Sequence, residues 1–159
     1  MIEKDTVRLL RECDAGVNMG ISSIDEVVDH IKNKEFKELL ETCRTAHDKL
    51  NSEIQQLLEK YQDEGKEPNP IAKGMSWMKT NRKLGMEDSD ATIAELMTDG
   101  CNMGVKSLNK YLNKYEAADE VSKDICKRLI KIEEKLLGKL RVRILNMPKV
   151  ILSLQRLLL

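Results

Sequence analysis

The chain has 159 residues, of which 41% are hydrophobic, 34% charged and only 3% aromatic. That is one domain with enough apolar material for a core, and its richness in Lys, Glu and Leu with few aromatics and few prolines points to an all-α protein. Its 27 basic side chains balance 27 acidic ones, so no global field draws nucleic acid, and no basic-aromatic interleaving suited to stacking bases is present.

Taken in chain order, helix A is predicted from Glu3 to Asn33, with Leu10, Cys13, Val17, Gly20, Ile24, Val27 and Ile31 recurring at three-four spacing. Helix B is predicted from Lys34 to Asp63, with a seam of Phe36, Leu40, Cys43, His47, Leu50, Ile54, Leu57 and Tyr61. A longer joint from Glu64 to Asp88 carries Gly65, Pro68, Pro70, Gly74 and Gly85, with a short helix expected around Ile71 to Leu84. Helix C begins near Ser89, an N-cap with Asp90 behind it, and its seam is Met97, Cys101, Gly104, Leu108, Tyr111 and Tyr115. Helix D carries Val121, Ile125, Leu129, Ile132, Leu136 and Leu140 on one edge, and Cys126, Ile130, Glu133 and Leu137 beside it.

The residues Gly16-Val17-Asn18-Met19-Gly20-Ile21-Ser22-Ser23-Ile24 return as Gly100-Cys101-Asn102-Met103-Gly104-Val105-Lys106-Ser107-Leu108. The period suits a helical hairpin used twice, and two pseudo-symmetric hairpins make a four-helix bundle. The A–B and C–D joints are short enough to do no more than reverse direction. The B–C joint is long enough to run the length of the bundle. Such a crossover sets helix C antiparallel to A, as in ferritin-like bundles; an up-down-up-down bundle with a large loop is the alternative.

Gly16-x-x-x-Gly20 and Gly100-x-x-x-Gly104 place bare spots one turn apart on helices A and C. A mid-helix Gly costs ~1 kcal/mol against Ala, so four of them suggest a packing return, expected here as a close A–C approach. With these glycines, the crossover Gly74-Met75-Ser76-Trp77-Met78-Lys79, and Cys101-Asn102-Met103-Gly104 followed by Tyr111, the chain resembles an uncharacterised bacterial ferritin-like family, a domain of unknown function distantly related to rubrerythrin. The resemblance covers most of residues 5–145 and implies the fold rather than an activity.

Ferritin-like di-iron sites draw one Glu from each of two helices and a Glu-x-x-His from each of the other two. At 1.5 Å per residue, Asn18 and Asn102 lie ~23 and ~22 Å from their turns, and His47 and Glu133 ~20 and ~24 Å from theirs. These four form the expected central polar layer. It offers one carboxylate, one imidazole and two amides, with His47-x-x-Leu50 and Ile130-x-x-Glu133 where two Glu-x-x-His motifs belong. Two hard divalent ions need more carboxylates than that. The expectation is therefore a degenerate di-metal site without catalytic residues, metal or cofactor, with iron or zinc as the minority alternative. Cys13, Cys43, Cys101 and Cys126 fall one per helix but at different heights, and read as small core side chains.

Residues 1–147 are thus expected to form the bundle and 148–159 an apolar tail. The run Val150-Ile151-Leu152-Ser153-Leu154-Gln155-Arg156-Leu157-Leu158-Leu159 is far short of the ~20 residues that span a bilayer. It reads as a short docked C-terminal helix, with a membrane-surface anchor as the sharper alternative, assisted by Lys135, Lys139, Arg141, Arg143 and Lys149. The charged start, Met1-Ile2-Glu3-Lys4-Asp5, does not read as a signal peptide, and the expected location is the cytoplasm. The function expected is a non-catalytic bundle that binds a protein partner or itself as a homo-oligomer, with no transmembrane segment. The alternatives are a metal-binding oxidoreductase or iron-handling protein, and a membrane-surface protein.

Overall fold

The computed structural model describes residues 2–66 and 89–146. These form four long helices and no strand: α1 (Ile2–Val27), α2 (Lys34–Lys60), α3 (Asp90–Lys114) and α4 (Glu120–Asn146). They correspond to helices A to D. The expected helix at 71–84, Trp77 and the tail 148–159 lie outside the described residues.

The helix ends have local causes. α1 stops before the predicted Asn33, because the 3-10 turn Val28–His30 leads into an extended Ile31. Asn33 instead caps α2, its Oδ1 accepting from the Phe36 amide at 2.9 Å. α2 ends where Gln62 takes φ +55°. Ser89 caps α3, accepting from the Thr92 amide, and Asp119 does the same for α4 through the Ser122 amide at 2.8 Å.

Backbone contacts at the two ends give the topology. The Lys32 and Asn33 amides donate to the Asp90 carboxylate at 2.9 and 2.8 Å, so the α1–α2 turn meets the start of α3. At the other end the Ala117 and Asp119 amides donate to Asp5 and to the Thr6 hydroxyl, so the α3–α4 turn meets the start of α1. α3 therefore runs antiparallel to α1. The Tyr61 hydroxyl donates to Asp119, which places the exit of α2 and the entry of α3 at opposite ends of the bundle.

The first residues of that connection are strapped to α1. Arg11 grips Asp63 through Nε and Nη2, the Lys66 amide donates to Asp14, and Lys66 Nζ pairs with Glu12 at 2.7 Å. Gly65 has φ +81°, and a Cβ there would stand 2.2 Å from Asp14 Oδ2. Only glycine reconciles that backbone with that approach.

The seams are buried much as their spacing predicts, with a shift on α2, where Leu58 rather than Leu57 is buried, and another at the start of α4. Val121 is 55% exposed and Ser122 is fully buried. The Ser122 hydroxyl donates to Asp119, so the cap turns Ser122 inward and Val121 outward. The apolar interior falls into two clusters. One holds Leu9, Leu10, Cys13, Val17, Leu50, Ile54, Leu108, Cys126, Leu129 and Ile130. The other holds Ile24, Phe36, Leu40, Cys43, Ile93, Met97, Cys101, Leu136, Leu137 and Leu140.

Candidate functional site

The boundary between the two clusters is a single level to which each helix contributes one non-apolar position. Gly20 stands between Val17 and Ile24, His47 between Cys43 and Leu50, Gly104 between Cys101 and Leu108, and Glu133 between Ile130 and Leu136. His47 is 1% exposed and reaches across the bundle from α2 to α4, where Nε2 lies 2.8 Å from Glu133 Oε1. The other ring nitrogen, Nδ1, lies 2.8 Å from the Cys43 carbonyl one turn back.

Both ring nitrogens thus face oxygens that accept. A neutral imidazole has one donor and one lone pair, and one of these contacts would then be repulsive. The geometry calls for an imidazolium that donates twice. Burial works against the charged ring, yet the hydrogen bonds to the Cys43 side chain and to Glu133 outweigh it and raise the His47 pKa to about 10. The pair is therefore a salt bridge at neutral pH between a buried imidazolium and a part-buried carboxylate.

Two thiols border it. Cys43 Sγ lies 3.6 Å from His47 Nδ1, so that N–H is shared between the carbonyl and the sulfur. Cys101, on α3, has its thiol pushed up by burial and by the neighbouring Glu133 charge. All four cysteines are free and buried.

The glycines explain how these side chains fit. A Cβ on Gly20 would come within 2.6 Å of His47 Nε2, and one on Gly104 would lie 3.6 Å from Glu133 Oε2. The expected direct approach of helices A and C is corrected accordingly. Gly20 clears space for an α2 ring, Gly104 faces an α4 carboxylate, and Gly16 faces Leu129 and Leu108 at ordinary van der Waals distance. Gly100 is half-buried on α3.

The asparagine pair is also corrected. Asn102 is exposed and Asn18 half-buried, its amide donating to Asp14 Oδ1 on its own helix at 3.0 Å. Each follows a buried seam residue, Val17 or Cys101, and one step along a helix of 3.6 residues per turn swings the side chain ~100° off the seam. The layer is His47 and Glu133 with two glycines, without the two amides.

One carboxylate outside the expected central layer is buried. Asp14 is 4% exposed and accepts from Asn18, from Gln55 Nε2 at 2.7 Å and from the Lys66 amide. Its signal was its place beside Cys13, one position off the apolar seam. The i, i+4 spacing of Cys43 and His47 was equally visible and was not weighed.

Among the described residues no three His, Cys, Asp or Glu side chains are grouped so as to hold a metal ion. The central pair does not fit one. Its one imidazole has no free lone pair, and its one carboxylate is bonded to that imidazole. Among the described residues no helix is long and apolar enough to cross a membrane. Comparison with protein-family models, with curated proteins and with solved structures finds no match for this chain.

Proposed function

We propose that the chain is a ferritin-like bundle whose di-metal centre is degenerate, and that it acts without catalysis, by binding a protein partner or a second copy of itself. The observation that carries this reading is the closed His47–Glu133 pair at the level where such bundles carry ligands. An imidazolium already supplies the positive charge that a metal would bring, and it leaves the layer no lone pair for a ligand bond. The antiparallel run of α1 and α3 supports the ferritin-like part of the proposal. With the interior closed, what the bundle offers is its surface.

Metal analysis of untagged protein tests this directly. The expected result is far less than one iron or zinc per chain, with metal lost on buffer exchange. About two irons retained per chain would overturn the reading in favour of an oxidoreductase or iron-handling protein. Sedimentation of the same sample then reports whether the partner is another copy.

A further inference from the structure

Much of the surface charge of the bundle is matched within the chain. Arg11 pairs with Asp63, Arg44 with Asp25 and Asp48, Lys66 with Glu12, and Arg128 with Glu53 and Asp124. The outward face of α4 is different. Lys127, Lys131, Lys135 and Lys139 recur every four residues, all are exposed, and among the described residues no acid pairs with any of them. At 100° per residue they share an arc of about 120° with Gly138 and Val142, and the row from Lys127 to Val142 is ~22 Å long. Arg141 and one acid, Glu134, stand at its edge, while Glu120 and Asp124 nearer the helix start already engage Lys123 and Arg128. We propose that this face of α4 docks on the surface of an anionic lipid bilayer, with its lysines on the phosphate headgroups and Val142 at the acyl boundary.

Nothing inside the bundle accounts for this face. Like charges at i, i+4 repel, so the lysine row weakens α4 on its own. The helix dipole favours cations in the last turn, which suits Arg143 but not a row that starts at Lys127. Val142 is 59% exposed and belongs to neither apolar cluster. Gly138 costs helix propensity, yet a Cβ there would meet nothing within 4 Å, so no internal packing offsets that cost. An anionic surface relieves the repulsion and covers the valine.

The chemistry of the face selects a bilayer among anionic partners. No aromatic side chain lies in the arc to stack a base, and its cations are flexible lysines rather than the forked guanidinium groups that grip single phosphates. A second copy cannot meet it face to face, because two such rows repel. The aliphatic complement points the same way. In sequence the run Val150-Ile151-Leu152-Ser153-Leu154 follows shortly after Val142. A polybasic face and an apolar segment, each too weak alone, together give reversible membrane association. The inference goes beyond the proposed partner binding. It rests on the surface of α4 and not on the closed centre, so either reading can fail without the other.

The test is flotation of the full-length chain at neutral pH with two kinds of vesicle, phosphatidylcholine alone and phosphatidylcholine with about one-third phosphatidylglycerol. The expected result is partitioning about tenfold or more stronger on the anionic vesicles, weakening severalfold as salt rises from about 0.05 to about 0.5 M. K131Q/K135Q, checked for helicity, should lose about tenfold on the anionic vesicles. K127Q/K139Q should lose a similar amount, so the result does not hang on the folding of one variant. K34Q/K49Q, which removes two exposed lysines from α2, should bind as the wild type does. Equal binding to both vesicles would mean that the apolar run acts alone, and would overturn the proposal. So would absence of binding to the anionic vesicles, or wild-type binding by both α4 variants. A gel shift of duplex DNA that the α4 variants abolish, without vesicle binding, would assign the face to nucleic acid instead.

Discussion

A methyl group on Gly20 would meet His47 at Nε2 and Cδ2, 2.6 and 2.7 Å away, and that ring is pinned at both nitrogens. Helix propensity predicts that Gly20→Ala gains ~1 kcal/mol. The clash is the larger effect, because the ring can move only by giving up Glu133, and the expected net cost is ~1–3 kcal/mol by urea unfolding. A stabilised variant would show that the ring has room to spare. The same ring makes stability depend on pH. The unfolded chain loses the His47 proton near its ordinary value of 6.5, and the folded chain keeps it to about 10. The contribution is complete below pH 6.5 and is lost as the pH rises through 10. The gap in unfolding free energy between wild type and H47Q should therefore narrow from pH 6 upward, and a constant gap would mean an uncharged ring. His47 and Glu133 were legible as central from helix rise alone. Their direct contact was not, because height along a helix says nothing of which neighbour a side chain meets. Asn18 and Asn102 shared that height and failed on rotation about the axis.

The elements are held in place by their ends. Asp119 caps α4 through Ser122, accepts from Tyr61 at the end of α2 and lends its backbone amide to Thr6 on α1, so one turn ties three helices. Asp119→Ala should cost ~1–2 kcal/mol, the upper range for a cap, because the side chain also loses Tyr61. A cost of a few tenths would mean that Ser122 holds the turn alone. Gly65 is the counterpart at the exit of α2. Gly65→Ala meets both a left-handed φ and the Asp14 carboxylate, and should destabilise by more than the ~1 kcal/mol of conformational strain alone. Thermal unfolding reads this, and an unaltered midpoint would mean that the strap on α1 is dispensable. Seam residues and the Ser89 cap were readable because both follow from local spacing. The overrun of helix A to Asn33 was not: Asn33 suits a helix C-terminus and the next N-cap equally, and its bond to the Phe36 amide decides which. Val121 misled for a similar reason. Its apolarity placed it inside, whereas the Asp119 cap turned the small polar Ser122 inward instead.

At the scale of the whole molecule, a charged pair splits one potential core into two apolar clusters. A buried ion pair gives weak net stability, because desolvation offsets most of the attraction, yet removing one partner strands the other. The repeat sharpens this. Gly20 and Gly104 are matching positions of the sequence repeat, but one faces His47 and the other Glu133. Two hairpins that are alike in sequence pattern thus receive opposite charges at the same level, a device that favours one pairing of the halves over others. E133L alone should leave the imidazolium buried without a counter-charge and cost ~3–5 kcal/mol. H47L alone leaves a part-buried carboxylate and should cost a similar amount. The double variant restores electrical neutrality and lets Leu side chains join the two clusters, so it should recover most of the loss. The expected coupling is above ~2 kcal/mol in a double-mutant cycle by urea denaturation. Additive losses would mean that the partners are stabilised separately, by solvent at Glu133 and by the Cys43 carbonyl at His47. The double variant should also have a less specific interior, because nothing then distinguishes the two hairpins at the centre. Broadened amide spectra at native-like stability would identify the pair as a determinant of register, and sharp single-state spectra would assign that role to the capped ends.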